Sequence, residues 1–396
     1  MREAPLRMRT DKGEGYLFER QNDHVMQSDT SDTANNASLF DRLLDMNNLF
    51  EAFKRCRKQT YWKHSVQTYE ANLLFNLCAL RKSLIDGTYR QKPFVEFDLN
   101  ERGKIRHIKA MHISDRVLQR ALCDYVLEPC MRKYLIYDNG ASLKGKGIDF
   151  TKRRLVAHLC KYYQKYGNHG YILLCDISKY FDSIPHDRLV ALFGKYIKDE
   201  KVMALVSYII SMFGGDAGVG IGVQLAQIAG ISYLMTVDNY VKIVRGCKFY
   251  GRYMDDFYII HNDKQFLKDL LVEIDGILTG LGLTLNRRKT HIYRIDKGFI
   301  FLKLKTRITS TGKVVRIPCR KNIIREKRKL RKLKRKGVEF RDVYTSYLSF
   351  RGNIRRYNSY RIVNSLDRYF SSIYEEEIKN ISIGDRYGRK NQRTGE

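Results

Sequence analysis

Apolar residues along this chain follow patterns typical of helices at the start, strands in the middle and helices again at the end. From Leu39 they recur at helical spacing through LFDRLLDMNNLFEAF and again through ANLLFNLCALRKSL, which predicts two helices. FVEFDLNERGKIRHIKA alternates apolar and polar positions around a short turn and predicts a basic hairpin. SDRVLQRALCDYVLEPCMRKYL then predicts a helix capped by Ser114 and broken at Pro129.

Two later segments predict strands that end in carboxylates. An apolar run from Tyr171 to Cys175 stops at Asp176, and KFYGRYMDDFYII predicts a hairpin with Asp255 and Asp256 at its tip. Each feature alone has a plain structural explanation, since paired aspartates are common in turns and a single acid can cap a helix. Carboxylates beside buried strands are nevertheless costly unless a cation compensates them. Three acids on adjacent strands would suit magnesium.

The last part of the chain combines a predicted hairpin with a strongly basic helix. TRITSTGKVVRIP predicts two strands turning at Thr311-Gly312, and eleven basic residues against one acid lie between Arg320 and Lys336. A phosphate-binding stripe is the favoured interpretation, with a solubilising or nuclear-localisation run as the alternative. The apolar positions that would face inward are Ile323, Leu330 and Leu333.

Composition points to a polyanionic partner. The 396 residues include 73 Lys and Arg against 43 Asp and Glu, a formal net charge of +30. A membrane surface is the rival partner, but no stretch approaches the roughly 20 apolar residues of a spanning helix, and the first 20 residues lack an apolar signal core. We therefore expect a cytoplasmic protein without membrane contact. The eight cysteines show no zinc spacing and are expected to be reduced core thiols.

Several segments resemble the sequence blocks of one enzyme family. DISKYFDSIPH resembles the first catalytic motif of reverse transcriptases, and YMDD resembles their Tyr-x-Asp-Asp box. In chain order, KIRHIKAMHISDRVLQRAL, ASLKGKGIDF, GVGIGVQLAQIAG, GLTLNRRKT and GFIFLKLK resemble the fingers, second, Gly-rich, Asn-x-x-Lys and primer-grip blocks. The resemblance covers roughly Glu51 to Phe370. It implies an α+β right-hand polymerase fold with an antiparallel-sheet palm, mostly helical fingers and a helical thumb.

The domain organisation expected from this reading has five parts. A polar tail without packed structure precedes the fingers, and a second polar tail follows the thumb. The catalytic carboxylates belong to the palm, and the basic helix belongs to the thumb. The boundaries are 1–38 for the first tail, 39–170 for the fingers, 171–305 for the palm, 306–385 for the thumb and 386–396 for the last tail.

The resemblance also implies functional residues. The catalytic residues would be Asp176, Asp255 and Asp256, and these acids with the backbone carbonyl of Ile177 would bind two Mg²⁺ ions, for which Mn²⁺ could substitute. Phe181 would exclude a ribose 2′-hydroxyl, although a plain core aromatic is the alternative. The expected nucleotide-binding residues are Lys104, Arg106, Arg116, Phe181, Gln227 and Lys289. The expected primer and template residues are Tyr253, Met254, Gly218, Gly222, Lys144 and Lys146.

Within these sets the resemblance implies separate tasks. The three basic fingers residues would hold the incoming triphosphate, with a merely solvated basic face as the alternative. Lys289 would neutralise or protonate the pyrophosphate leaving group, and Gln227 would touch the nascent base pair. Tyr253 and Met254 would lie under the primer terminus.

The implied activity is RNA-directed DNA synthesis, a nucleotidyltransferase reaction, in a bacterial retroelement or an anti-phage, antiviral defence system. The expected partners are an RNA template, with a cognate non-coding RNA as one candidate, a DNA or RNA primer, dNTPs, and an accessory protein or a second copy of the chain. Template-independent or ribonucleotide polymerisation on the same fold, and a non-catalytic RNA-binding scaffold, remain open.

Departures from the family pattern narrow the choice of branch. Gly220 stands where many relatives have Pro, and Ala226 stands where Ser often precedes the Gln. The missing serine weakens an assignment to the diversity-generating retroelement enzymes. Retron enzymes usually carry Asn-Ala-x-x-His and Val-Thr-Gly motifs, which are not found here. The length after Leu304 leaves room for a thumb and argues against a full-length group II intron protein. A stand-alone prokaryotic enzyme is the remaining expectation.

Overall fold

The computed structural model describes residues 38–58, 60–101 and 104–379. The two predicted polar tails lie wholly or almost wholly outside these residues. Helices and a hairpin come first in the described chain: α1 Leu39–Leu44, α2 Met46–Arg57, α3 His64–Ala71, α4 Leu73–Ile85, β1 Val95–Glu101 and β2 Lys104–Ala110. The strands pair antiparallel from Val95 opposite Ala110, which confirms the predicted hairpin.

The first predicted helix is divided, and the second is confirmed as α4. Asp45 ends α1 and also caps α2, because its side chain accepts a hydrogen bond from the Asn48 amide at 2.9 Å. Asn72 separates α3 from α4 in the same way along the chain, although its side chain makes no capping bond. Both segments are helical as predicted, but the break at Asp45 and the separate helix α3 were not predicted.

The next helical region corrects two predictions. It comprises α5 Ile113–Leu122, a π-helical turn Cys123–Leu127 and α6 Glu128–Arg132. The N-cap is His112, whose ring nitrogen accepts from the Ser114 amide at 3.3 Å, so the expected cap at Ser114 is wrong. Pro129 does not break the helix, because it lies in the first turn of α6, where a missing N–H costs little. Helix α7, Ile148–Tyr166, follows.

A four-stranded antiparallel sheet lies at the centre of the fold. Its strands are β3 Tyr171–Cys175, β4 Tyr250–Tyr253, β5 Asp256–His261 and β6 His291–Arg294, in the order β4-β5-β3-β6. The predicted strand before Asp176 and the predicted hairpin around Asp255 are both confirmed. The α-helices between these strands are α8 His186–Tyr196, α9 Glu200–Ser211, α10 Gln224–Ser232, α11 Met235–Asn239 and α12 Lys264–Gly280. A 3-10 helix Tyr180–Ser183 and a π-helical turn Tyr240–Val244 also lie between β3 and β4.

Both faces of this sheet are covered, which explains the continuous apolar runs of its strands. Along β3, Leu173 and Cys175 enter a large core shared with α8 to α12, whereas Ile172 and Leu174 enter a second core. That second core contains side chains from α7 and from a further three-stranded antiparallel sheet. Its strands are β7 Phe299–Phe301, β8 Leu304–Ile308 and β9 Val314–Pro318. The central sheet is thus packed between two hydrophobic cores, one on each face.

Three helices follow, α13 Arg320–Arg335, α14 Phe340–Arg355 and α15 Tyr360–Ile373, and residues 375–379 are also helical. They enclose a third core in which the Tyr347 and Phe370 rings stack at 4.1 Å. Leu330 is fully buried there, and the other two predicted inward positions of α13 pack against the same core. The predicted amphipathic basic helix and the hairpin before it are confirmed.

The α+β class with antiparallel sheets is confirmed. A mostly helical region with a hairpin, a central sheet and a helical region follow one another, as in a right-hand polymerase fold. The expected palm and thumb boundary at 305/306 falls inside β8, and α7, assigned to the fingers, packs under the central sheet. The domain boundaries stay predictions. Among the described helices, none has the length and apolar character needed to cross a bilayer.

Candidate active site

The strand ladder brings the predicted acids to one end of the central sheet. β3 and β5 pair with Cys175 opposite Phe257, so the next residues along the ladder are Asp176 and Asp256. Asp255 precedes β5 at the tip of the β4-β5 hairpin. The three carboxylates therefore meet because two neighbouring antiparallel strands end and begin at the same edge.

Asp176 is held by two side chains from the Asn-x-x-Lys block. The Lys289 ammonium lies 2.6 and 2.8 Å from the two carboxylate oxygens of Asp176, and the Asn286 side-chain amide donates to one of them at 2.9 Å. The Asn286 backbone amide donates to the Asp176 carbonyl at 2.8 Å. Sequence reasoning assigned Lys289 to the pyrophosphate and gave Asn286 no role, although their three-residue spacing signals that both can reach one group.

Burial and mutual repulsion perturb the remaining acids. Burial is the main cause that raises the pKa of Asp255, with a further rise from Asp176. Burial, then Asp255 and Asp176, raise the pKa of Asp256 to about 7. Lys289 opposes these shifts without cancelling them. The protein surroundings therefore disfavour the charged forms of Asp255 and Asp256.

The donor set fits a hard cation, although no finished metal cage is present. Within residues 38–58, 60–101 and 104–379, no three His, Cys, Asp or Glu side chains form a group arranged to hold a metal ion. Both oxygens of Asp176 face Lys289 instead. Carboxylate oxygens that are buried and undercompensated are suitable magnesium ligands. Ile177, whose carbonyl was predicted to assist, is buried and bridges to Leu285 on the neighbouring segment.

A buried arginine supports the hairpin tip. Arg252 is fully buried and forms hydrogen bonds of 2.8 and 2.5 Å to the two carboxylate oxygens of Asp238. It also donates to the carbonyls of Met254 at 3.0 Å and Ile231 at 2.8 Å. Met254 has a φ of 54°, in the left-handed region that non-glycine residues rarely adopt. Arg252 therefore fixes the backbone next to Asp255, a role that sequence reasoning missed.

Phe181 lies against the hairpin tip. A Cβ atom added at Gly230 would lie 2.9 Å from the Phe181 ring and 3.3 Å from the Met254 sulfur, so the three residues are in close contact. The Tyr180 hydroxyl donates to the Gly230 carbonyl at 2.7 Å and anchors the segment that carries Phe181. Tyr253, the last residue of β4, is half-buried, and burial raises its pKa.

The Gly-rich segment joins the Phe181 loop to the fingers hairpin. The Gly218 amide donates to the Ile184 carbonyl at 2.8 Å, and Gly218 has a φ of 101° that favours glycine. Gly222, with a φ of 103°, approaches Ile108 of β2 closely enough that an added Cβ would lie 3.4 Å from its side chain. The segment before α10 therefore contacts the Phe181 loop at Gly218 and strand β2 at Gly222.

Two of the three predicted triphosphate-binding residues, Arg106 and Arg116, lie on different elements. Arg106 is exposed on β2. Its charge opposes the rise in the pKa of Asp255, so Arg106 lies towards the acids. The side chain of Lys104 is outside the described part of the molecule. Arg116 lies on α5, where its guanidinium donates to the Cys56 carbonyl at 3.2 Å and lines a separate cavity. The structure brings Arg106 towards the acids, whereas the guanidinium of Arg116 lines a cavity with Arg120 and Gln224.

The second sequence block lies beside α10. Gln227 is exposed, and its side-chain carbonyl accepts from the Ser142 hydroxyl at 3.3 Å. Lys144 is exposed nearby in the chain. Lys146 is half-buried, donates to the Tyr137 carbonyl at 2.7 Å and lies 5.2 Å from the Tyr137 ring centroid. Burial lowers its pKa. The block thus contacts Gln227 through Ser142 and carries one exposed and one anchored lysine.

The fold and the acids together define a nucleotidyltransferase of the polymerase type. Residues 91–306 match the family model described as reverse transcriptase (RNA-dependent DNA polymerase). The match spans more than half of the sequence, and the chain belongs to the reverse transcriptase family.

Two individual proteins are also similar to this chain. It is 25% identical over 275 residues to Protein YkfC of Escherichia coli (strain K12), a match that covers 59% of this chain and 71% of YkfC. It is also similar to the solved structure of telomerase from Candida albicans in complex with a fragment of telomeric RNA. That match has a TM-score of 0.45 and 14% identity, and it covers 72% of this chain but 56% of the telomerase chain. At that TM-score the likeness supports no conclusion.

Proposed function

We propose that this protein is an RNA-directed DNA polymerase that copies an RNA template into DNA. The observation that carries the proposal is the undercompensated carboxylate cluster at the edge of the central sheet, where the pKa of Asp256 is raised to about 7. Perturbed acids of this kind concentrate at reaction centres.

A buried acid elsewhere in the same protein provides the contrast. Asp138 has a side chain only 5% exposed, yet Arg154 and Lys242 contact its carboxylate at 2.5 and 3.0 Å. Burial would raise its pKa, but hydrogen bonds from His158, Arg154 and Lys242 bring the pKa below its usual value. Asp138 is therefore paired with cations, whereas among the described residues no salt bridge joins a cation to Asp255 or Asp256.

Asp176, Asp255 and Asp256, with the Ile177 carbonyl, would hold two Mg²⁺ ions, and Mn²⁺ could take their place. Bound in that way, the ions would supply charge stabilisation to the attacking and leaving oxygens of phosphoryl transfer. Lys289 would have to leave the Asp176 oxygens, and its side chain is 52% exposed and able to do so. Its ammonium would then be available to neutralise or protonate the pyrophosphate. Arg106 would contribute positive charge for the triphosphate on the fingers side.

The surroundings of Phe181 support deoxynucleotide selection. Its ring is confined by Gly230 and Met254, so it cannot yield easily to an added 2′-hydroxyl. Gln227 is exposed on α10 and would contact the nascent base pair. Tyr253 and Met254, on the hairpin that carries the acids, would contact the primer end.

The basic helix α13 supports a nucleic-acid duplex as the partner. Lys327 and Arg331 lie 4.5 and 5.5 Å from the Tyr369 ring centroid, while Leu330 between them is buried. Burial of the apolar side of α13 therefore sets the orientation of the helix and leaves its basic side available to phosphates. We propose an RNA template, with a cognate non-coding RNA as one candidate, and a DNA or RNA primer. The biological setting proposed is a bacterial retroelement or an anti-phage defence system, with an accessory protein or a second copy of the chain as a further partner.

Primer extension tests this function. Purified protein is given magnesium, an RNA or a DNA template, and either dNTPs or ribonucleotides. We expect dNTP incorporation on the RNA template that is lost in Asp255→Asn/Asp256→Asn and kept in Asp269→Asn, a control at an exposed acid of α12. Extension with ribonucleotides alone, or products unrelated to the template, would favour the alternative polymerase. RNA binding with no extension under any condition would favour the scaffold.

A further inference from the structure

The helices α13 to α15 form a unit with a hydrophobic core of its own. The buried side chains of that third core all belong to residues 330–374, and the partly buried ones around it lie between residues 323 and 378. The two cores on either side of the central sheet contain no side chain from this α13–α15 unit. Its orientation relative to the sheet therefore depends on the chain that enters α13 and on contacts at its surface.

The loop between α14 and α15, residues 356–359, makes such contacts through Tyr357. The half-buried Tyr357 accepts a hydrogen bond at its hydroxyl from the Lys152 ammonium, at 3.0 Å. Its ring centroid lies 5.2 Å from that ammonium and 5.4 Å from the Arg316 guanidinium carbon. Both distances are within the range of a cation–π interaction. A single ring thus contacts one cation from α7 and one from β9.

The two neighbours of Tyr357 add contacts to the same elements. The Asn358 amide donates to the Arg316 carbonyl at 2.9 Å, and the Asn358 side-chain carbonyl accepts from the Arg316 amide at 2.9 Å. Because β9 is an edge strand, this pair satisfies backbone groups that the edge leaves open. Arg356 donates to the Asp149 carboxylate in the first turn of α7 at 2.8 Å. Three consecutive loop residues therefore bind the body of the protein.

Both sides of this contact are anchored in hydrophobic cores. On the loop side, Ser359 is 2% exposed, and its hydroxyl donates to the Ile354 carbonyl at 2.5 Å. Ile354 belongs to the third core. On the other side, α7 buries Leu155 and Leu159 in the second core, against the central sheet. A displacement of the loop would consequently move the α13–α15 unit relative to the sheet that carries the acids.

We propose that Tyr357 is a positioning residue, which fixes the α13–α15 unit relative to the central sheet so that the basic side of α13 stays against the primer–template duplex during successive additions; the inference rests on the proposed polymerase function. The other possible role of the loop is direct contact with the nucleic acid. Positioning is favoured because the Tyr357 ring and the Arg356 guanidinium are already engaged with α7 and β9.

Duplex dissociation and processivity test this contact, and the first measurement needs no catalysis. The protein is bound to a labelled primer on an RNA template and chased with a heparin trap, which gives the dissociation rate. With magnesium and dNTPs, the same trap gives the number of nucleotides added per binding event. The variants are Tyr357→Ala and Tyr357→Phe, and the matched control is Tyr360→Ala, at a tyrosine 79% exposed at the start of α15. Equal melting temperatures identify variants that remain folded.

Tyr357→Ala should raise the dissociation rate about fivefold and lower the nucleotides added per binding event about fivefold, because it removes one hydrogen bond and two cation–π contacts. Tyr357→Phe keeps the ring and should change each value about twofold. The single-turnover rate of the first addition, measured on the preformed complex, should not change, and Tyr360→Ala should match the wild type. An unchanged dissociation rate in Tyr357→Ala, or a fivefold fall in its first-addition rate, would overturn the proposal.

A charge reversal separates positioning from direct contact with nucleic acid. Asp149→Arg adds positive charge and would slow dissociation if the loop region only attracted phosphates. Because it sets like charges against Arg356 and Lys152, we expect dissociation about threefold faster instead, with recovery in Asp149→Arg/Arg356→Asp. Slower dissociation of Asp149→Arg would overturn the proposal. A wild-type protein that binds the duplex but never extends the primer would refute the polymerase function, and the dissociation rates would still decide whether Tyr357 positions the unit.

Discussion

The Arg252–Asp238 pair gives the sharpest structural prediction. Both side chains are almost completely shielded from water, at 0% and 1% exposure, and Arg252 also supports the Met254 carbonyl. Arg252→Met keeps much of the side-chain volume but leaves Asp238 as a buried, uncompensated charge. Breaking one half of a buried pair costs about 3–5 kcal/mol. We therefore expect the free energy of unfolding to fall by that amount in urea titrations followed by circular dichroism.

The same variant should alter catalysis through the hairpin tip. Without the guanidinium, the left-handed Met254 backbone loses its donor, and Asp255 beside it is less firmly positioned. Because Arg252 acts through the backbone, kcat should fall more than KM changes, at temperatures where the variant remains folded. Arg252→Lys, which keeps the charge but has fewer donors, should recover part of the stability and less of the activity.

A double-mutant cycle and a control variant test the coupling between Arg252 and Asp238. Combining Arg252→Met with Asp238→Leu should cost clearly less than the sum of the single changes, with a coupling of about 1–3 kcal/mol. Arg245→Met removes a pair with Glu273 in which the two side chains are 30% and 32% exposed, and it should cost within about 1 kcal/mol. If Arg252→Met cost no more than Arg245→Met and left kcat unchanged, the supporting role assigned to Arg252 would be wrong.

Three further predictions follow from single contacts. Phe181→Ala should raise the ribonucleotide share of the product, measured by alkaline cleavage; an unchanged share would return Phe181 to a core role. Leu330→Ala, in the third core, should lower the free energy of unfolding by about 2–5 kcal/mol, and a loss under 1 kcal/mol would contradict its burial. Hydrogen bonds to Asp98 and then Glu96 raise the pKa of His107 above 6.5. Its contribution to hairpin stability should therefore be complete below pH 6.5 and be lost as pH rises through the folded pKa. An NMR titration that gives His107 a pKa at or below 6.5, or a pKa of His107 that does not fall in Asp98→Asn, would refute this prediction.

Local pattern was sufficient for most elements but not for their ends. The strand before Asp176 was predictable because an apolar run stops at a charge, and the hairpin at Asp255 because aromatic strand residues flank it. The break at Asp45 was not, since the apolar periodicity continues across it while a side-chain cap decides the boundary. Pro129 misled the prediction because proline is unfavourable within a helix but tolerated in its first turn.

The candidate site was predictable where chemistry and family resemblance coincide, and less so where tertiary contacts decide. The three acids could be named from their motifs, and the structure places them together. Arg252 was missed because its partner comes from a separate helix. The motif named Arg116 but could not give the direction of its side chain, which on α5 lines a cavity with Arg120 and Gln224.

The most direct test of the central claim is single-turnover incorporation of one dNTP opposite an RNA template in the presence of magnesium. The wild type and the exposed-acid control Asp269→Asn should incorporate at equal rates, and Asp255→Asn should show no incorporation above background while binding the primer–template normally. Incorporation by Asp255→Asn at the wild-type rate would contradict the assignment of the carboxylate cluster as the reaction centre.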